Sequence, residues 1–233
     1  MDVIPVIDIK DGQVVHAQGG RRDTYRPIRT PLSATSEPAD VAAGLLRLFP
    51  FRCLYIADLD AIERRRPNDA AIAAIAVVAA GVELWVDNGI ADAAAARAWL
   101  LRCPHSLVIG SESQDGTQTI AALHNEGRVL LSLDFRGDEF QGAAMLHDDA
   151  ASWPARVIVM TLARVGAQGG PDAPRVAGIV ARAQGRAVFG AGGVRNRDDL
   201  RALADAGAAG VLVATALHTG ALTAQDIEAV ARR

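Results

Sequence analysis

Lysine is almost missing: Lys10 is the sole one among 233 residues, and arginine supplies the rest of the positive side-chain charge. Schiff-base chemistry is thereby confined to one position, which makes a lysine-dependent aldolase a remote reading. Aromatic residues are scarce at 4%, while apolar residues reach 50%, so a core has to be built from Ala, Val, Leu and Ile. Cysteine appears twice, at Cys53 and Cys103, with neither a disulfide framework nor metal spacing. The five histidines share no motif. Neither a metal nor an organic cofactor is therefore expected. No apolar run approaches bilayer-spanning length, and the opening Met1-Asp2-Val3-Ile4-Pro5 lacks the features of a signal peptide. The expectation is a cytoplasmic protein without membrane contact. A net charge of −3, with no basic stretch, gives nucleic-acid binding no electrostatic support. The sequence sets no oligomeric state.

What is present begins with Val3-Ile4-Pro5-Val6-Ile7-Asp8-Ile9-Lys10-Asp11-Gly12. An apolar run that ends in a turn signal reads as a strand buried on both faces, as in a parallel sheet. Asp8 sits inside it, and a buried carboxylate is costly unless paired or used. The same pattern returns half a chain later in Val129 to Asp138, with Asp134 near the strand end. Further strands are read at Cys53–Leu59, Val82–Val86, Ser106–Ile109, Val157–Thr161, Ala187–Gly190 and Gly210–Val213. Helices are read at Val41–Leu48, from Pro67 through Ala80, up to Arg102, at Gln118–Asn125, and from Pro174, Asp198 and Ala224. The longest aperiodic segment, Gln18 to Pro38, carries Arg21 and Arg22 and reads as an anion-handling lid.

Eight strands alternating with helices through short links predict an α/β fold, the (β/α)8 TIM barrel, in one domain. The two halves repeat: Asp58 pairs with Thr161, Gly89 with Gly193 and Ser111 with Thr215 at a spacing of about 104 residues, too long a period for a solenoid. The barrel is thus read as two half-barrel repeats, residues 1–126 and 127–233. Asp8 and Asp134 then face each other across the C-terminal mouth, where barrels of this kind carry their chemistry.

Five segments, PVIDIKDGQVV, YIADLDA, LDFRG, FGAGGV and VLVATAL, resemble the half-barrel family of histidine biosynthesis, which includes a ribotide isomerase and its cyclase sister. The resemblance spans essentially the whole chain. It implies an Amadori-type aldose–ketose isomerase acting on a small phosphorylated sugar derivative. It implies Asp8 and Asp134 as the acid/base pair and Thr161 as a further catalytic residue. Substrate or phosphate contacts are expected at Gly192, Gly193, Ala214 and Thr215 in the second half. In the first half they are expected at Gly89, Gly110 and Ser111, with Asp58 and Lys10 alongside.

The departures concern the turns. The family's Asp-Gly-Thr after strand six is Val165-Gly166-Ala167 here, and its Gly-Gly-Gly turn after strand three is Asp87-Asn88-Gly89. Two unit charges at ~5 Å and an effective dielectric near 20 repel by about 3 kcal/mol, so Asp87 opposes a phosphate in that turn. Asp58, Asp87 and Glu112 together predict an acidic first-half pole. The motifs KDGQVVHAQGG, DNGI and IGSES resemble an uncharacterised subgroup of archaea and methylotrophic bacteria found alongside one-carbon pterin cofactor biosynthesis. Two alternatives follow: a divergent member with another phosphorylated substrate, or a non-catalytic barrel that binds a phosphorylated metabolite.

Overall fold

The computed structural model describes residues 1–17, 21–63, 65–166 and 169–231. Eight parallel strands form the barrel: β1 (Asp2–Lys10), β2 (Cys53–Asp58), β3 (Glu83–Asp87), β4 (Ser106–Gly110), β5 (Val129–Arg136), β6 (Arg156–Thr161), β7 (Ala187–Ala191) and β8 (Gly210–Val213). Each pairs with the next in sequence, and β8 closes on β1 through Asp2↔Gly210 to Pro5↔Val213. The helices between them are α1 (Pro38–Leu48), α2 (Asp69–Val78), α3 (Ala93–Arg102), α4 (Gln118–Leu123), α5 (Ala144–Asp148), α6 (Ala173–Arg182), α7 (Arg197–Asp205) and α8 (Ala224–Ala231).

Alternation along the strands sorts the apolar residues into two cores. Ile7, Leu54, Val86, Leu107 and Leu133 face outward and pack under the helices. Ile4, Tyr55, Trp85, Val108, Leu130, Ile158, Phe189 and Leu212 face inward. The floor of the barrel is closed by Trp85 and Phe189, edge-to-face at 4.9 Å, with the Arg156 guanidinium over the Trp85 ring. Arg156 also bonds Glu83 at 2.7 Å, so the floor is plugged by a salt bridge at the strands' N-terminal ends.

Several expectations shift. Helix α2 begins at Asp69 rather than Pro67. Asn68, instead of capping it, turns its side chain back to Asp58, Asp60 and the Gly12 amide. Helix α5, with no apolar periodicity to announce it, was not read from the sequence. In the segment after β1, Gln13–His16 and Arg26–Pro27 extend the sheet as short antiparallel strands, and Arg22–Thr24 form one turn of helix. Gly19, Gly20 and Ala167, singled out in the two glycine-bearing loops, lie outside the described residues. Among the described residues no helix is long and apolar enough to cross a membrane, and no cluster of three or more metal-binding side chains occurs.

Candidate active site

A cavity of about 400 Å³ opens at the C-terminal ends of the strands. That volume suits a small metabolite. Asp8 from β1 and Asp134 from β5 both line it, four strands apart around the closed sheet. Their settings differ. Asp134 is buried, and its carboxylate accepts from Ser132 Oγ at 2.7 Å and the Glu112 amide at 3.2 Å. Ser111, fully buried, takes the Asp134 amide at 2.9 Å and donates to the Gln141 carbonyl at 2.7 Å, so it braces this strand end from behind. Asp8 accepts no hydrogen bond from any described residue and faces the cavity only partly shielded.

Burial raises both carboxyls far above the ordinary range, to about 7. Nearby Arg22 partly opposes the shift at Asp8, and Ser132 partly opposes it at Asp134. Asp87, at the end of β3, also faces the cavity and is pushed to about 6 by burial, although the Gly89 amide and the Tyr55 hydroxyl bond it. Desolvation penalises the charged form, so three neighbouring acids sit poised near neutrality. Buried Tyr55 is driven well above its usual range by burial and by Asp87, and it stays a donor.

Arg22 from the loop after β1 enters the cavity wall and pairs with Glu112 at 2.5 Å. On the opposite side the chain runs through Gly192 and Gly193, with φ of 102° and 85°. A Cβ at Gly192 would lie 2.7 Å from the Thr161 carbonyl, and one at Gly193 2.3 Å from that of Gly170, so only glycine makes this turn. Ala214 and Thr215 complete that wall, and Thr215 Oγ1 lies 3.2 Å from His16 Nε2.

Not every residue expected in the site reaches it. Thr161 and Asp58 end their strands on the outward face, next to the inward Met160 and Ala57 that do line the cavity. Asp58 caps the turn Leu59–Ile62 through the Ala61 amide and bonds Asn68, so it is a structural acid rather than part of the acidic pole. Thr161 is buried, and its carbonyl packs under Gly192. Lys10 donates to the Arg22 carbonyl at 2.8 Å, which secures the loop rather than the cavity. Gly89 packs against the backbone of Ile62, and Gly110 sits behind Asp134 and Asp87. Tyr55, Tyr25, Arg136 and Met160 line the cavity without having been singled out from the sequence. Tyr55 was within reach, since it stands two residues before Ala57 on the same face of β2.

Residues 2–223 match the histidine biosynthesis protein family. A Halobacterium salinarum isomerase is 34% identical over 242 residues, covering 97% of this chain and 96% of its own. A Myxococcus xanthus isomerase is 30% identical over 246 residues, covering 100% and 98%. Both are named for an imidazole-4-carboxamide bearing two phosphoribosyl groups. An uncharacterised protein of Methanocaldococcus jannaschii is 27% identical over 233 residues, with 97% of each chain covered. Neither the one-carbon pterin alternative nor a non-catalytic barrel finds support in these names. A match running from the first barrel strand past the last one, through every strand that contributes to the cavity, makes this chain a member of the histidine biosynthesis protein family.

Proposed function

We propose that the cavity isomerises a small phosphorylated aminosugar from aldose to ketose form, with Asp8 and Asp134 as its proton-transfer pair. The carrying observation is that two carboxyls from β1 and β5 line one cavity, where burial raises both toward about 7. Opening the sugar ring needs a proton delivered to the ring oxygen, and the rearrangement needs one removed from the carbon beside the imine. A group with its pKa near the working pH does either job well, and two on opposite strands flank the sugar without sharing a proton. The names of the curated relatives support the same reaction class.

The phosphate is read into the wall formed by Gly192, Gly193, Ala214 and Thr215, glycine-bearing turns of the kind whose backbone amides bind anions. Thr161 acts only through that wall, by shaping the Gly192 turn. The chain works as one domain made of two half-barrels, residues 1–126 and 127–233, in a cytoplasmic setting.

Replacement of Asp8 or Asp134 by Asn tests the reading. Turnover of a phosphorylated aminoaldose should fall by a factor of about 10² to 10⁴ in each variant, the range for loss of a general acid or base. Far-ultraviolet circular dichroism should be unchanged. Full activity in both variants would end the proposal.

A further inference from the structure

The two ends of this cavity come from equivalent turns of the two half-barrels, yet they are not chemically equivalent. At the repeat offset of 104 residues, Asp87 corresponds to Ala191, Gly89 to Gly193, and Glu112 to Ala216. In the second half alanines stand where those carboxylates would be, and no described acceptor takes the Gly193 amide. In the first half the Gly89 amide already donates to Asp87 at 3.2 Å. The Glu112 amide likewise donates to Asp134 at 3.2 Å, whereas Asp8, the counterpart of Asp134, accepts no such bond. The Glu112 carboxylate, on the cavity wall, is met by Arg22 at 2.5 Å, so that guanidinium is already engaged.

An incoming anion at the first-half end would therefore find the Gly89 and Glu112 amides engaged by the protein's own carboxylates, and Asp87 and Glu112 beside it. Like charges brought together in a water-poor pocket repel, and releasing either amide costs a buried acid one of its donors. A carboxylate that accepts from Tyr55 on one side has room to accept a second donor from a ligand.

We propose that the end built around Asp87 and Glu112 excludes a second phosphate and receives the uncharged, N–H- or O–H-donating end of a substrate that carries one phosphate. The inference rests on the isomerase reading of the cavity and narrows its substrate to a monophosphorylated aminosugar derivative. It separates this chain from the relatives named for a doubly phosphoribosylated compound.

Titration of the intact protein with inorganic phosphate, followed by backbone-amide NMR, tests it. One saturating site is expected, with shifts at Gly192 and Gly193 and none that saturate at Gly89 or Glu112. Two sites, or none, in the unaltered protein would overturn the proposal without recourse to any variant. The double variant Asp87→Gly/Glu112→Ala should then acquire a second phosphate site at Gly89. Its kcat/KM for the bis-phosphoribosyl imidazole carboxamide should rise at least tenfold; a fall, or no change, counts against the proposal. Should the isomerase reading itself fail, no phosphorylated aminoaldose is turned over whatever the phosphate count. Two sites with turnover intact would sink the asymmetry alone.

Discussion

The carboxylates of Asp8 and Asp134 are alike in sequence context and unlike in support. Asp134 is held by Ser132 and the Glu112 amide, and Asp8 by no described residue. Asp87 raises Asp134 through its charge. Its replacement by Asn removes that charge, so the Asp134 carboxyl should titrate at lower pH. The limb of the pH–rate profile that reports Asp134 should then move toward acid, measurable as kcat/KM from pH 5 to 9. A limb that stays in place would mean the two acids do not sense each other. The residue-level legibility of the site was uneven for a clear reason. Asp8 and Asp134 stood out because each interrupts an apolar run and the runs repeat. The pairing of Arg22 with Glu112 joins two loops far apart in the chain, which no local pattern carries. Asp58 and Thr161 were placed in the site by position at a strand end. Period-two alternation, counted from Ala57 and Met160, turns both outward.

Among the elements, the strands were legible as apolar runs closed by Asp or Gly, and the long helices by their spacing. The short pieces were not. Helix α5 and the hairpin strand Glu139–Gln141 owe their conformation to packing on β5 rather than to their own sequence. The turn after β2 is ordered by a polar clasp: Asn68 Nδ2 bonds Asp58 at 2.7 Å and Asp60 at 2.8 Å, and its Oδ1 takes the Gly12 amide. Asn68→Ala leaves two buried carboxylates short of a donor and should destabilise the fold by about 1–3 kcal/mol, read by urea denaturation. Activity should fall less than in the Asp8 variant, because the clasp lies outside the cavity. On the other wall, Gly193→Ala forces a Cβ against the Gly170 carbonyl in a left-handed conformation. It should cost about 1–3 kcal/mol and raise KM more than it lowers kcat.

Across the whole molecule, three cavity acids whose titration is raised to about 6 or 7 couple stability to pH. In the unfolded chain they ionise near pH 4. In the fold they remain protonated until near neutrality, so their contribution is complete below about pH 4 and is lost as pH rises through 6 to 7. The denaturation midpoint should therefore decline between about pH 4 and 7 more than a barrel without these acids would show. Asp134→Asn, which cannot ionise, should flatten that decline and raise the melting temperature at pH 8 by a few degrees. A variant less stable than the parent at pH 8 would contradict this account. The substitution expected to remove turnover would thus make the fold sturdier, the usual trade where an active site is kept at a cost to stability.

The lone ε-amine of the chain has a practical use. Lys10 donates to the Arg22 carbonyl and so tethers the loop that carries Arg22 onto the acids. An amine-reactive dye applied after the α-amino group is blocked can attach at one place only, at the end of β1 beside that loop. Its emission would then report on the surroundings of the Arg22 loop when ligand is added, a reporter that in most proteins has to be engineered in.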